Sequence, residues 1–320
     1  MSKRAKIILS LAIAFMLIGG VIFGGVMSVL RWDFTQLSTV KYETNDYEIK
    51  NDYKSISIAT DTADIVFVPS ESTKSSVVCY EQKNVKHSVA VIGDTLVIEA
   101  VDTRKWYEYI GIFFGTPKIT VHIPQGEYGT LSVKGSTGDV EIPEVYTFES
   151  LDIAVSTGDV KCEVSSAGKI KINTNTGDIH VKNVSAGMLD LSVSTGKVIA
   201  ESVSCADDVR INVSTGKAQL TDVTCKALIS KGNTGDISLK DVIAAETFSV
   251  VRSTGDIKLD GCDAAGIYIK TNTGDVAGSL LTNKVFITKT NTGKINIPKT
   301  TTGGKCEIIT TTGDIRISIQ

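Results

Sequence analysis

Two tetrapeptides, Ser194-Thr-Gly-Lys197 and Ser214-Thr-Gly-Lys217, match Ser-x-x-Lys, the nucleophile motif of penicillin-binding enzymes. Elsewhere in the chain the same four residues recur as Ser-Thr-Gly-Asp or Asn-Thr-Gly-Asp, so the pattern reads as a turn rather than a catalytic pair. The three histidines, His87, His122 and His180, lie far apart and lack the His-x-x-x-His spacing of a zinc enzyme. No Gly-x-Ser-x-Gly elbow and no P-loop occur. An aspartate or lysine closes each turn: Asp139, Asp159, Asp178, Lys197, Lys217, Asp236, Asp256, Asp275, Lys294 and Asp314. Stacked carboxylates about 5 Å apart repel by roughly 1 kcal/mol in water, which calcium could relieve. Calcium repeats supply several oxygens per ion, however, whereas one carboxylate per repeat is available here. Lys197 beside Asp178 and Lys217 beside Asp236 also relieve the repulsion, so the expectation is a solvated turn column with no metal, no cofactor and no catalytic residue.

The element that places these groups is a repeat. Ten turns carry the glycines Gly138, Gly158, Gly177, Gly196, Gly216, Gly235, Gly255, Gly274, Gly293 and Gly313, spaced 19 or 20 residues apart. Apolar residues alternate on both sides of each turn, as in Leu151, Ile153 and Val155 before Gly158 and Val160, Cys162 and Val164 after it. Period two on both flanks means strand, turn, strand with one face buried. Thr-Gly suits a type II turn, whose third residue needs positive φ. One turn recurring once per repeat distinguishes a solenoid from a meander, in which successive turns alternate between two ends of a sheet. The predicted fold is all-β: a parallel β-solenoid of about ten coils, each rising ~4.8 Å, over residues 131–320.

Residues 55–130 hold irregularly spaced strand-like runs and are expected to form a β cap. Within them Trp106, Tyr107, Tyr109, Ile110, Ile112, Phe113 and Phe114 crowd into nine residues, either as a plug over the first coil or as an exposed loop that meets a partner or lipid. The run from Trp106 to Pro124, followed by repeated Ser-Thr-Gly-Asp-Val, resembles the bacterial β-strand-repeat family catalogued as putative adhesins, over roughly residues 50–320. The resemblance implies a tethered or exported β-solenoid of the cell envelope, sometimes linked to envelope-stress signalling, and implies no catalytic residues.

Lys3, Arg4 and Lys6 precede an uncharged run from Ile7 to Leu30, closed by Arg31. Such a run is long enough to cross a bilayer core of roughly 30 Å, and longer than the ~7–15 residues of a secretory core segment. The expectation is a cytoplasmic stub (1–6), a retained transmembrane helix (7–30) and a polar stalk (31–54), with the C-terminal region outside a bacterial cell membrane; a cleaved signal peptide is the alternative. Residues 33–320 carry 29 basic against 36 acidic side chains, net −7, which argues against nucleic acid.

Six cysteines, Cys79, Cys162, Cys205, Cys225, Cys262 and Cys306, fall mostly on inward-alternating positions, as small buried hydrophobes do. Cys205 and Cys225 occupy equivalent places in consecutive coils and are close enough for a disulfide. At the end of the chain Ile315, Ile317 and Ile319 still alternate, so the last strand is expected to present an open parallel edge for end-to-end self-association or a partner's strand. The functional expectation is non-enzymatic adhesion, scaffolding or envelope interaction, with a cell-wall polymer or a membrane protein as partner. The alternatives are an accessory of envelope-stress signalling and a carbohydrate-active enzyme on a β-helix.

Overall fold

The computed structural model of the chain describes residues 3–38, 40–109 and 115–320. Helix α1 (Lys3–Val29) carries Lys3, Arg4 and Lys6 at its start, is uncharged from Ile7 onward and buries only Met27. By length and composition it could cross a membrane. It ends in tight turns, with Trp32 N–H donating to Met27 O at 2.8 Å and a 3-10 turn over Phe34–Leu37.

The stalk expected over 31–54 is shorter than its composition suggests. Strand β1 (Tyr42–Ile49) pairs antiparallel with β4 (Ser75–Gln82), because alternate β1 side chains, Tyr47 and Ile49 among them, have apolar surface to cover. The other proximal strands are β2 (Ser55–Thr62), β3 (Asp64–Pro69), β5 (Val85–Ile92), β6 (Thr95–Asp102), β7 (Lys118–Ile123), β8 (Gly126–Thr137) and β9 (Val140–Ile142).

From β8 onward the chain winds as a parallel solenoid. Leu151 pairs with Leu131 on one side and Ile170 on the other, one repeat away in each direction. The alternation read from sequence is the burial observed: Leu151, Ile153, Val155, Val160, Cys162 and Val164 all face one continuous core. No coil buries enough alone, so stacking is the source of stability.

The turn differs from type II. The ten turn glycines have φ between +125° and +155°, well beyond the ~+80° of that turn. The reason is that the parallel ladder runs through the corner. Gly158 N–H donates to Thr176 O at 2.9 Å and Val160 N–H to Asp178 O at 2.9 Å, so one extended, mirror-image residue makes the bend. A second column of positive φ sits six residues after the turn, at Asn183, Ser202, Asp222, Asp241 and Gly261. Four of these five are Asn, Asp or Gly, the types that tolerate this conformation.

Coil order departs from chain order at both ends. Strand Gly304–Thr312 lies between Ile257–Thr273 and Lys284–Lys289, and strand Ile315–Ile319 between Val276–Leu280 and Ile295–Asn296. The Gly313 coil therefore sits inside the Gly293 coil. This corrects the expectation for Ile315, Ile317 and Ile319: Ile315 and Ile317 are core residues, and the outermost edge belongs to Lys284–Lys289. Burying the last strand on both sides satisfies more backbone groups than leaving it at the edge.

The proximal end uses the same device. The β2–β3 coil is inserted between β6–β7 and β8–β9, so residues 55–69 belong to the solenoid rather than to an irregular cap. Its corner is Thr62-Ala63-Asp64, with Ala63 N–H donating to Thr137 O at 3.0 Å as a turn glycine would. Antiparallel strands then cover the outer coil, β4 on β7, β1 on β4 and β5 on β6.

Candidate functional site: a buried acid–histidine cluster under the proximal cap

Strand β4 places Val77, Cys79 and Glu81 on its buried parity, and the hairpin through Lys83-Asn84 brings His87 of β5 beside them. Glu81 Oε2 accepts from His87 Nδ1 at 2.7 Å and from the His87 backbone N–H at 2.7 Å. Asn45 Nδ2 of β1 donates to Glu81 Oε1 at 2.6 Å, and His87 Nε2 meets Thr60 Oγ1 of β2 at 2.9 Å. Cys79, Glu81 and His87 offer three ligand atoms within 4.8 Å of one another, all buried. Burial, then the Glu81 and Asp46 charges, pushes the Cys79 thiol up to about 12.

Two chemistries could be read into this cluster. Carboxylate, imidazole and hydroxyl stand in the order of a hydrolase triad, and Cys, Glu and His are zinc donors. Neither has room. The adjoining cavity, lined by Thr60, Gln82, His87 and Arg104 among others, holds about 50 Å³, enough for a water or so and no substrate. The Glu81 and His87 donor atoms already bond each other, and the thiol is neutral at ordinary pH. Thr60 also belongs to a structural column. Thr174, Thr271 and Thr310, each three residues before a turn glycine, donate to the turn carbonyls of Gly158, Gly255 and Gly274. Where β6–β7 lacks a Thr-Gly corner, His87 accordingly replaces the turn as the partner of Thr60, clasping β1, β2, β4 and β5 together.

The aspartate column is also bonded rather than merely solvated. Asp159 N–H donates to Asp139 Oδ1 at 2.8 Å, Asp178 N–H to Asp159 Oδ1 at 2.7 Å and Lys197 N–H to Asp178 Oδ1 at 2.8 Å. Lys197 and Lys217 stand 3.7 Å and 3.6 Å from Asp178 and Asp236, as their places in the repeat predict. The carboxylates therefore cap amides of the next coil, which uses an oxygen a cation would need.

Of the aromatic segment, Trp106 and Tyr109 stand 79% and 54% exposed on a 3-10 turn shared with Tyr107. These two do not plug the core. Phe113 and Phe114, with Ile110 and Ile112, lie outside the described residues. All six cysteines are free and buried, and burial raises Cys205 and Cys225 to about 12 and 11.

A family model for Toastrack DUF4097 matches residues 53–212 and 202–320. The chain belongs to the Toastrack DUF4097 family. Its Toastrack region thus begins with β2 and runs to the last strand, leaving α1 and β1 outside the match. Among solved structures, a putative adhesin from Parabacteroides merdae is 13% identical with a TM-score of 0.50, covering 87% of this chain and 96% of that one. A putative lipid binding protein from Parabacteroides distasonis is 18% identical with a TM-score of 0.47, covering 88% and 98%. A putative adhesin from Bacteroides fragilis is 17% identical with a TM-score of 0.38, covering 87% and 97%. No curated protein matches the chain.

Sequence reasoning missed Glu81 and His87 as a pair and treated the histidines only by their mutual spacing. The available signal was a glutamate on the apolar parity of Val77-Val-Cys-Tyr-Glu81, where a charge needs a buried partner.

Proposed function

We propose that this Toastrack protein is a membrane-anchored, extracytoplasmic β-solenoid with a non-enzymatic adhesion, scaffolding or envelope-interaction role. The observation that carries the reading is the contrast between its two parts. An apolar helix whose side chains stand exposed needs a lipid environment, whereas the solenoid it leads into buries its apolar residues and offers ladders of Ser, Thr, Asp and Lys. Lys3, Arg4 and Lys6 at the start of the helix favour an N-terminus inside and a solenoid outside. Coils of 19–20 residues leave little loop for a catalytic groove, and a flat polar ladder suits a polymer or protein surface better than a small molecule. The fold neighbour from Parabacteroides merdae, named a putative adhesin, agrees with this reading.

The test is made on the full chain in intact cells. Its C-terminal end should be reachable by protease or antibody from outside, the protein should stay in membranes after an alkaline wash, and it should retain cell-envelope material without cleaving it. A C-terminus protected in intact cells, or polymer cleavage abolished by one acidic substitution, would overturn the reading.

A further inference from the structure

Among the described residues the corners of the solenoid are short, and one connection is long. Between β6 and β7, where a Thr-Gly corner would stand, residues 103–117 intervene, of which 103–109 and 115–117 are described. We infer that the described start of this excursion, the turn over Trp106–Tyr109, is a second lipid contact, seating Trp106 and Tyr109 in the headgroup region of the bilayer that α1 enters. The inference rests on the membrane-anchored reading above and adds to it.

Place comes first. The returning end of the excursion is tied to the start of β1, since Tyr42 Oη donates to Gly115 O at 3.0 Å. Tyr42 itself stacks on Tyr80 of β4, ring centroids 5.2 Å apart. Only residues 30–41 separate α1 from Tyr42, and part of that stretch is taken up by the turns at Leu30–Asp33 and Phe34–Leu37. The excursion is thus on the end of the rod nearest the helix, and on the outermost coil of that end.

Chemistry comes second. Trp106 and Tyr109 are exposed, as are Trp32 and Phe34 just beyond the helix. Indole and phenol rings pair an apolar body with a polar tip, which is why they collect where water meets hydrocarbon. Exposed rings at the far end of the rod would suggest a protein partner; at this end the nearest apolar phase is the bilayer itself.

The excursion is also braced for the task. Arg104 grips both Asp102 carboxylate oxygens, with Nε at 3.0 Å from each and Nη2 at 2.6 Å from Oδ2. Its guanidinium lies 4.3 Å over the Tyr109 ring, whose hydroxyl donates to Asp102 at 3.1 Å. Asn84 of the β4–β5 hairpin donates to Glu108 Oε1 at 3.0 Å, while the Lys105 N–H donates to Glu108 Oε2 at 2.8 Å. These bonds fix Tyr109 and the turn that carries Trp106 before any contact is made, so less ordering cost falls on binding.

The chain has two tryptophans, Trp32 and Trp106, which makes the test direct. Full-length Trp32→Phe and Trp106→Phe are each reconstituted in phosphatidylcholine–phosphatidylglycerol vesicles whose acyl chains carry bromine at a shallow position. In Trp106→Phe, the remaining Trp32 reports the helix end; in Trp32→Phe, Trp106 reports the excursion. The expected result is blue-shifted emission and at least twofold quenching by bromolipid for both. If Trp32 is quenched while Trp106 emits as in water, the excursion does not touch lipid and the inference fails with the anchor intact. If neither is quenched, the anchored reading fails and the inference with it. Trp106 emission that shifts blue with protein concentration but resists bromine would assign the surface to a second protein and also overturn it.

Discussion

Gly216→Ala should be among the most damaging single-methyl changes in the molecule. The Gly216 φ is +136°, and a Cβ there would lie 1.8 Å from the Gly196 carbonyl oxygen of the preceding coil. Real Cβ atoms do not approach closer than 3.0 Å, so the two coils must part by more than an ångström. Two ladder bonds at that corner, Gly196 N–H to Thr215 O at 3.0 Å and Gly216 N–H to Thr234 O at 2.9 Å, then stretch or break. Each is worth about 1 kcal/mol, and a side chain at such φ costs ~1–3 kcal/mol more. The sum is roughly 3–5 kcal/mol. Gly266→Ala is the control, because its nearest neighbour would be Glu246 O at an ordinary 3.8 Å. There alanine should be neutral, or stabilise by ~0.4–1 kcal/mol through the unfolded chain. Guanidinium unfolding of the full chain in detergent, followed by far-ultraviolet circular dichroism, separates the two. Since a stacked array can open coil by coil, hydrogen exchange should place the Gly216→Ala lesion between the Gly196 and Gly235 corners. Equal midpoints for the two variants would refute the idea that close approach, rather than chain flexibility, demands glycine at the corner.

Further expectations concern the polar columns and the two ends. Asp159→Lys should cost about 1 kcal/mol, because the Asp178 N–H loses its acceptor, whereas Asp159→Asn keeps an oxygen there and should melt like the parent; an Asn variant as weak as the Lys one would show that charge matters instead. His87→Ala should cost about 1.5–3 kcal/mol and loosen β1 and β5 in hydrogen exchange, because it removes the ring bonds to the buried Glu81 carboxylate and to Thr60 while the backbone N–H bond to Glu81 stays. Zinc that raises the melting temperature of the parent but not of Cys79→Ser would replace the clasp with a metal site. At the distal end, Lys284 is buried against Asp263, Ala264 O and Thr282 Oγ1. Burial alone would raise the Asp263 carboxyl, but hydrogen bonds from Lys284, Thr282 and the Ala264 amide outweigh it and hold it below the ordinary value. Its contribution is therefore full above about pH 4, the unfolded value, and is lost as pH falls through the lower folded one. Acid should loosen residues 281–303 in the parent in that range, and Asp263→Asn should make the loosening independent of pH.

The regular part of the molecule was legible because each repeat restates the same two facts, alternation of apolar residues and a glycine where φ is positive. Leu151, Ile153 and Val155 could be assigned inward from sequence alone, and so could their counterparts in other coils. What sequence does not state is which coil stacks on which. The Gly293 and Gly313 repeats are equally good neighbours for the Gly274 repeat by pattern, and only the packing chooses Gly313, where Asp314 N–H meets Asp275 Oδ1 at 2.8 Å. The first corner escaped notice for a related reason, since Ala63, without the positive φ of the turn glycines, stands where its outer neighbour β6–β7 carries no Thr-Gly corner. Pairs that meet across coils are hidden too. Gly232 leaves the space that the Arg252 guanidinium fills, from which it donates to Val213 O at 3.1 Å. Neither residue announces the other, being one coil apart and of types that share no chemistry.

The two exchanged ends follow from what a wound rod lacks. In a simple winding the last coil holds to one neighbour and is free at its terminus, so it can peel at the cost of a single interface. Here the outermost distal coil, built on Lys284–Lys289 and Ile295–Asn296, is continuous on both sides with inner coils, and the terminal strand Ile315–Ile319 is sandwiched. Peeling then frees only a closed loop, which gains less entropy than a free end. The proximal end does the same with β6–β7 outside β2–β3. Departures from the repeat collect at these ends: the Glu81–His87 clasp and the braced aromatic excursion at one, the buried Lys284 at the other. Within the rod each position is hemmed by equivalents above and below, ~4.8 Å away. A partner lying along the ladder meets nearly the same turn in every coil and has little means to tell one coil from the next. Affinity along the sides would come from repetition, and selectivity from the ends.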